Sequence, residues 1–156
     1  MSDAYHPATF ALQAVIAQSN VLERELARLL GLNATDYRAL SAIQQFPRDE
    51  AVTMSRLGSA LGTTAATTSA IVDRLERAGY VRRNRTEADR RLVTIETTPL
   101  AWQKIIEIMR PLMGATDAWI KALGPDDARV VAEFLQVTTT LLTDHAASLA
   151  AREAVQ

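Results

Sequence analysis

A glycine at position 62 separates two short amphipathic segments, and this arrangement constrains the fold more than any other feature of the chain. In the first segment Thr53 can cap a helix, and Leu57 and Leu61 lie four residues apart on one helical face. Gly62 can adopt the positive φ of a tight turn, and Thr64 can then cap a second helix. The pattern predicts two short helices that pack against each other across that turn.

The second predicted helix has one inward face and one face of small or polar side chains. The inward face repeats at i, i+3, i+4 and i+7 and consists of Thr68, Ile71, Val72 and Leu75, until Gly79 ends the helix. The opposite face consists of Ala66, Ser69, Ala70, Asp73 and Arg77. A face of this size can enter the major groove of DNA, where methyl groups contact thymine methyls and hydroxyls reach bases or phosphates.

The residues after Gly79 predict a β-hairpin with a positively charged tip. Two β-rich segments, 80–85 and 92–98, flank a turn-prone segment at 86–91. Between positions 82 and 91 there are five arginines (82, 83, 85, 90 and 91) and two acids (Glu87 and Asp89), a local charge of +3 in a chain of net charge -1. Any affinity for DNA therefore has to come from this patch and from its duplication in a dimer.

Each of these features also has an explanation that involves no DNA. Helix-turn-helix pairs occur in proteins that never bind DNA, and arginines on a hairpin often protect an edge strand from aggregation. The order of the features along the chain, two capped helices followed by an arginine-rich hairpin, nevertheless favours a DNA-binding winged helix-turn-helix.

Helical segments rich in large aliphatic residues flank this core on both sides. Residues 8–31 form a stripe at helical spacing that ends at Gly31, and Asn33 is expected to cap the next helix with Asp36 at its third position. Beyond the hairpin, Pro99 opens a helix that Pro111 should kink or break. A final helix is expected to start at 124–127, with a proline in its first turn followed by two acids.

The pattern leaves open whether these helices complete one core or also pack against a second copy of the chain. A two-fold dimer would match a pseudo-palindromic site with two half-sites, and it would supply more phosphate contacts than one lobe can make. This reasoning favours a homodimer.

The residues from the second helix to the end of the hairpin resemble those of the MarR-type bacterial transcriptional regulators. The resemblance rests on 72–77, Gly79-Tyr80-Val81, Arg83, Asp89-Arg90-Arg91 and Thr97-Thr98, and it extends outward to 31–40. It implies a mainly α fold with a small β wing, in a single domain over residues 1–156. Residues 8–31 and 100–152 would form the dimerisation region, and residues 33–98 would form the winged helix-turn-helix lobe that binds DNA.

The resemblance also implies particular DNA contacts. In such proteins the arginine that matches Arg91 enters the minor groove, and the aspartate that matches Asp89 orients it. Arg83 and Arg85 are expected to hold phosphates. Together with the pattern of the second helix, this gives a set of predicted DNA-binding residues: Thr64, Ala65, Ala66, Thr67, Ser69, Ala70, Asp73, Arg74, Arg77, Arg83, Arg85, Asp89, Arg90 and Arg91.

Three alanines set this chain apart from the family pattern. Ala65, Ala66 and Ala70 stand where many members carry longer polar or basic side chains, so fewer bidentate contacts to bases are available. We therefore expect specificity to depend on thymine methyl contacts, on Ser69 and Asp73, and on DNA shape.

We expect a repressor, because occupying a promoter requires no further contact surface, and the resemblance implies that a small aromatic or phenolic effector lowers its affinity for DNA. Trp102, Trp119, Met109, Met113 and Tyr37 could line an effector cleft, and Arg38 could anchor a carboxylate. Such helical stripes are more often core or dimer surface, so no effector residue is assigned. Two alternatives stay open: a winged-helix module that binds a protein partner, and a dimer that binds a small ligand without binding DNA.

Composition narrows the remaining possibilities. The chain contains no cysteine, which excludes disulfides, thiolate zinc sites and the thiol-based peroxide sensing found in one branch of the resembled family. His6 and His145 show no catalytic spacing, so we expect no enzyme, no metal and no cofactor. Without a signal-like or membrane-length apolar run, the protein is expected to be cytoplasmic.

Overall fold

The computed structural model describes residues 5–47, 50–86 and 89–153, and in them it shows six α-helices and one two-stranded antiparallel sheet. The elements are α1 (Pro7–Leu29), α2 (Ala34–Gln45), α3 (Met54–Leu61), α4 (Ala65–Arg77), β1 (Val81–Thr86), β2 (Asp89–Thr97), α5 (Pro99–Ala122) and α6 (Pro125–Glu153). This order confirms the predicted mainly helical fold with a small β wing. The chain divides into two compact units, Met1–Ile108 and Met109–Gln156.

The helix boundaries in the first unit lie where the capping residues predicted them. The side chains of Asn33, Thr53 and Thr64 accept hydrogen bonds from backbone amides three residues later, at 2.8, 3.2 and 3.3 Å. Gly62 closes α3 with a φ of 62°, in the left-handed region that costs glycine nothing. Local sequence patterns therefore determine the helix-turn-helix boundaries.

The core of the first unit lies between α2, α3, α4 and the sheet. The predicted inward face of α4, formed by Thr68, Ile71, Val72 and Leu75, is fully buried. Leu40 of α2 and Leu57 of α3 pack into the same cluster and are also fully buried. Each such leucine contributes roughly 1.5–3 kcal/mol to folding through burial, so this cluster fixes how α4 is held.

The two strands of the wing pair in a regular register near their base. Val81 pairs with Thr97, Arg83 with Ile95, and Thr86 with Asp89, with an irregularity between Arg85 and Thr86. The strands thus extend further toward the tip than predicted, since Thr86 and residues 89–91 belong to strands and not to a turn. The physical reason is that an antiparallel ladder satisfies the backbone groups of these residues, whereas a longer turn would leave them to water.

The helices after the wing begin as predicted, but α5 differs in one respect. It continues from Pro99 to Ala122 with Pro111 inside it, so of the two predicted effects of Pro111, a kink or a break, the break does not occur. Proline removes a single amide donor from the helix, and the helical stretches of 99–110 and 112–122 are long enough to continue on either side of it. Gly124, with a φ of 83°, directly precedes α6, and Asp126 and Asp127 lie in the first turn of that helix, as the sequence predicted.

Candidate nucleic-acid interface

The face of α4 opposite the core is open to solvent over its whole length. Ser69 is half-buried, and the other predicted contacts on this side are exposed: Thr64, Ala65, Ala66, Thr67, Ala70, Asp73 and Arg77. Short side chains dominate the first two turns, so the backbone of α4 can approach another surface closely. This is the geometry that a helix needs to enter a major groove.

The close approach of α3 to α4 depends on Gly58, a residue that the sequence reasoning did not single out. A Cβ at this position would lie 2.9 Å from Thr68 Oγ1 and 3.4 Å from the carbonyl oxygen of Thr63. Thr68 Oγ1 is itself fixed, because it donates to the carbonyl of Thr64 at 2.9 Å and lies 2.9 Å from Thr63 Oγ1. A glycine inside a predicted helix was the available signal for this contact.

Arg74 lies between the inward and outward faces of α4, and its guanidinium binds Asp36 of α2. Its Nε donates to Asp36 Oδ2 at 2.9 Å and its Nη2 donates to Asp36 Oδ1 at 2.7 Å. Asn33 Nδ2 donates to the same carboxylate at 2.8 Å, and Asp36 is only 3% exposed. The hydrogen bond that Arg74 donates to Asp36 is the main reason why the pKa of Arg74 lies above its ordinary value.

Arg83, at the base of the wing, binds two carboxylates of α4. It donates to Asp73 Oδ1 at 2.5 Å and to Glu76 Oε2, and its backbone amide donates to Glu76 Oε1 at 3.1 Å. Partial burial lowers the pKa of this guanidinium, but the hydrogen bonds to Asp73 and Glu76 outweigh burial and raise it overall. The pairing joins the wing to α4. The predicted base and phosphate contacts of Asp73 and Arg83 stay predictions.

A second ion pair crosses the two strands of the wing. Arg82 donates to Glu96 Oε2 from Nε at 3.1 Å and from Nη2 at 2.8 Å, and both side chains are largely exposed. The hydrogen bond from Arg82 is the main cause that lowers the pKa of Glu96 below 4.5. The positive charge of Arg82 is therefore partly neutralised on the free protein.

At the tip of the wing the structure describes the backbone of the strand residues but not their side chains. Arg85 lies on β1 and Asp89, Arg90 and Arg91 lie on β2, but their side chains lie outside the described part of the structure, as do residues 87 and 88. The minor-groove contact expected of Arg91, its orientation by Asp89 and the phosphate contact expected of Arg85 stay predictions.

A separate concavity lies in the first unit at the far end of α2. It encloses about 870 Å³ and is lined by the end of α2, residues 50–52, the end of β2 and the start of α5. Phe46, Trp102 and Ile106 contribute apolar surface, and Gln44 contributes a buried amide nitrogen without a hydrogen-bond partner among the described residues. Of the residues of the first unit considered for an effector cleft, Trp102 lines this concavity and Tyr37 does not; Met109, Met113 and Trp119 belong to the second unit.

Apolar side chains are also exposed on the terminal helices. On α1 these are Phe10, Val15, Ile16, Val21 and Leu29. On α6 they are Val130, Phe134, Leu135, Val137, Leu141, Leu142 and Leu149. Such runs are unusual on a monomeric protein and are typical of a surface that another chain covers.

Within the residues that the structure describes, no cluster of three or more His, Asp or Glu side chains has the arrangement of a metal site. None of the helices in this described part of the chain combines the length and the apolar character that crossing a membrane requires.

Comparison with known proteins identifies similar sequences. The model of the MarR family matches residues 30–92, which span α2 to the middle of β2. An uncharacterised HTH-type transcriptional regulator, YcgE of Bacillus subtilis, is 29% identical over 109 residues, which cover 70% of this chain and 69% of YcgE. The transcriptional repressor MprA of Escherichia coli K12 is 27% identical over 96 residues, which cover 60% of this chain and 54% of MprA. The chain thus matches about half the length of MprA.

Solved structures share the fold. The transcriptional regulator Tm0710 of Thermotoga maritima superposes with a TM-score of 0.61 at 20% identity and covers 89% of this chain and 96% of its own. FabT of Streptococcus pneumoniae, solved in complex with DNA, gives a TM-score of 0.59 at 23% identity, with 89% and 99% covered. MepR of S. aureus, also solved with DNA, gives 0.56 at 14% identity, with 86% and 98% covered.

Proposed function

We propose that this chain, whose residues 30–92 match the model of the MarR family, is a winged helix-turn-helix transcriptional regulator that binds a pseudo-palindromic DNA operator as a homodimer and represses transcription there. The observation that carries the proposal is the outward face of α4, which is exposed, built of short side chains and flanked by an arginine-rich wing. A protein-binding surface has no need of five arginines within ten residues of the chain.

In this proposal α4 lies in the major groove and the wing follows the adjacent backbone. Ala65, Ala66 and Ala70 contact thymine methyls, and Ser69 hydrogen-bonds a base or a phosphate. At the tip of the wing Arg91 enters the minor groove and Asp89 orients it, while Arg85 and Arg90 bind phosphates. Thr64 caps α4 and, with Thr67, lies close to the phosphates at the helix start.

The homodimer is supported by the terminal helices. Large apolar side chains are exposed along α1 and along α6, and burying them against a second copy would remove them from water. A two-fold dimer also presents two copies of α4 to two half-sites, which are then spaced by about one turn of DNA. Two wings double the number of phosphate contacts and so the dependence of affinity on salt.

Repression requires only that the bound dimer occupies a promoter, and one relative of this chain is described as a repressor. For release we propose a small aromatic or phenolic molecule, and the concavity beside Trp102 and Phe46 supports the existence of a site. No arginine or lysine is among its lining residues, so Arg38 has no role in this concavity. A ligand seated there would contact α2 and β2, both of which belong to the DNA-binding lobe.

Selection from a randomised duplex pool tests the proposal, since no operator has to be known beforehand. The purified protein should enrich a two-fold symmetric sequence whose half-sites are spaced by about one helical turn. Light scattering coupled to size-exclusion chromatography should give a mass twice that of the 17.1 kDa chain. A pool without enrichment would contradict DNA recognition and would favour the alternative, a winged-helix dimer that binds a protein or a ligand.

A further inference from the structure

We propose that Arg74 is a positioning residue for DNA recognition: its ion pair with Asp36 fixes the rotation of α4 about its axis, and Arg74 itself binds no phosphate. The inference rests on the proposed DNA-binding function. It differs from the expectation drawn from the sequence, which placed Arg74 among the DNA contacts because it is a basic residue on the recognition helix.

The geometry of the pair makes it a directional link between two helices. Two roughly parallel hydrogen bonds, at 2.9 and 2.7 Å, join one guanidinium edge to both oxygens of Asp36. A bidentate pair of this kind fixes angle as well as distance, which a single contact does not. Asp36 cannot turn away, because it is 3% exposed and Asn33 donates to the same carboxylate at 2.8 Å.

Because of the position of Arg74 on α4, its ion pair with Asp36 restricts the rotation of α4 about the helix axis. Arg74 lies directly beside Asp73 on the outward face and Leu75 on the inward face. Since successive residues of a helix are about 100° apart around its axis, holding Arg74 toward α2 sets the direction of the outward face. The apolar core alone restricts this rotation less sharply, because hydrophobic contacts are not directional.

The same contacts make Arg74 a poor ligand for phosphate. Moving its guanidinium to DNA would leave the carboxylate of Asp36 buried without its charged partner, and such a loss is strongly unfavourable. Arg77 provides a contrast on the same helix. Its side chain is exposed and donates to the backbone carbonyl of Asp73 at 3.2 Å, and it makes no ion pair within the described residues.

Three variants separate positioning from phosphate contact: Asp36→Asn, Arg74→Met and, as a matched control, Arg77→Met. Fluorescence anisotropy would measure the binding of each to a selected duplex and to an unrelated duplex of equal length, over a series of salt concentrations. If Arg74 positions α4, the first two variants each lower the ratio of the two affinities about tenfold. In that case Asp36→Asn and Arg74→Met leave the negative slope of log affinity against log salt unchanged, whereas Arg77→Met makes it shallower by about one.

Asp36→Asn is the decisive variant, because it keeps the shape of the side chain, lies on α2 and frees Arg74. A phosphate-binding Arg74 would tolerate this change with an unchanged affinity ratio, and Arg74→Met would then lower the salt slope by about one. Either result overturns the inference. Should Arg74→Met fail to fold because Asp36 is left unpaired, the double variant Asp36→Asn/Arg74→Met removes the buried charge and gives the same readouts.

The proposed function and this inference fail in different ways. If the wild-type protein binds no duplex above background, the function is wrong and the inference falls with it. If the wild-type protein prefers the selected duplex and Asp36→Asn leaves that preference intact, the inference alone is wrong.

Discussion

The close packing of α3 on α4 predicts that Gly58→Ala destabilises the protein, although alanine is the better helix former. The added Cβ would lie 2.9 Å from Thr68 Oγ1, well inside a normal contact distance, and 3.4 Å from the Thr63 carbonyl. Thr68 is fully buried and its hydroxyl is hydrogen-bonded at 2.9 Å, so it cannot move aside freely. The helices must separate, or the hydroxyl must lose its bonds.

The two opposing contributions can be compared. Overpacking in a core costs about 1–3 kcal/mol, whereas replacing glycine by alanine in a helix gains up to about 1 kcal/mol. Taking the middle of the overpacking range, about 2 kcal/mol, and subtracting a gain of up to about 1 kcal/mol leaves an expected net loss of about 1–2 kcal/mol in the free energy of unfolding. Urea unfolding followed by circular dichroism at one protein concentration would measure it.

Two further variants test the cause of that loss. Ser59→Ala, at the exposed neighbouring position in the same helix, should change the free energy of unfolding by no more than about 0.5 kcal/mol. In a Thr68→Ala background the penalty of Gly58→Ala should shrink by about 1 kcal/mol, since the clashing oxygen is gone. A Gly58→Ala protein as stable as the wild type, or an equal penalty in both backgrounds, would refute the packing argument.

Three other predictions each concern one side chain. Tyr80→Phe should lower the free energy of unfolding by about 1–2 kcal/mol, because the buried hydroxyl donates to the Leu30 carbonyl at 2.7 Å; urea unfolding would show it, and an unchanged midpoint would contradict it. Arg82→Ala should return the pKa of Glu96 toward 4.5, as measured by NMR titration. Because the pKa of Glu96 is depressed in the folded protein, the ion pair stabilises the fold at pH values above the ordinary pKa of glutamate, and this stabilisation is lost as the pH falls through the folded pKa. The Arg82→Ala protein should therefore lose less stability on acidification than the wild type. An equal loss in both proteins would argue against a contribution from the pair. Arg91→Ala should weaken operator binding by a few kcal/mol at most and leave the melting temperature unchanged, so an unfolded variant would mean that Arg91 is structural.

Local patterns in the sequence were sufficient for the helix-turn-helix. The caps formed by Asn33, Thr53 and Thr64 satisfy amides only three residues away, so short motifs encode them completely. Gly62 likewise predicts, by its residue type alone, the left-handed turn that ends α3. These features depend on no distant part of the chain, which is why the order and boundaries of α2, α3 and α4 could be predicted.

Non-local pairings could not be predicted in the same way. Arg74 and Asp36 are 38 residues apart, and the sequence does not show which distant carboxylate will face an arginine on a helix. Arg83 poses the same problem, because its partners on α4 become visible only once the wing is folded back. The sequence predicts DNA contacts for Arg74 and Arg83, and the structure shows that both guanidinium groups bind carboxylates of the same chain.

The strand ends and Pro111 illustrate a second limit. The composition of 86–91 is typical of a turn, yet backbone pairing extends both strands into it. Pro111 is a helix breaker by propensity, yet α5 continues through it because its neighbours on both sides remain hydrogen-bonded. In both cases the regular structure around a residue outweighs the preference of that residue.

Binding of the wild-type protein to a selected duplex and to an unrelated duplex, measured by fluorescence anisotropy over a range of salt, tests the central claim most directly. The account predicts tight binding to the first, weaker binding to the second, and an affinity that falls steeply with salt for both, because arginines of two wings release counterions from phosphates. Equally weak binding to both duplexes at physiological salt would contradict sequence-specific recognition by this winged helix-turn-helix.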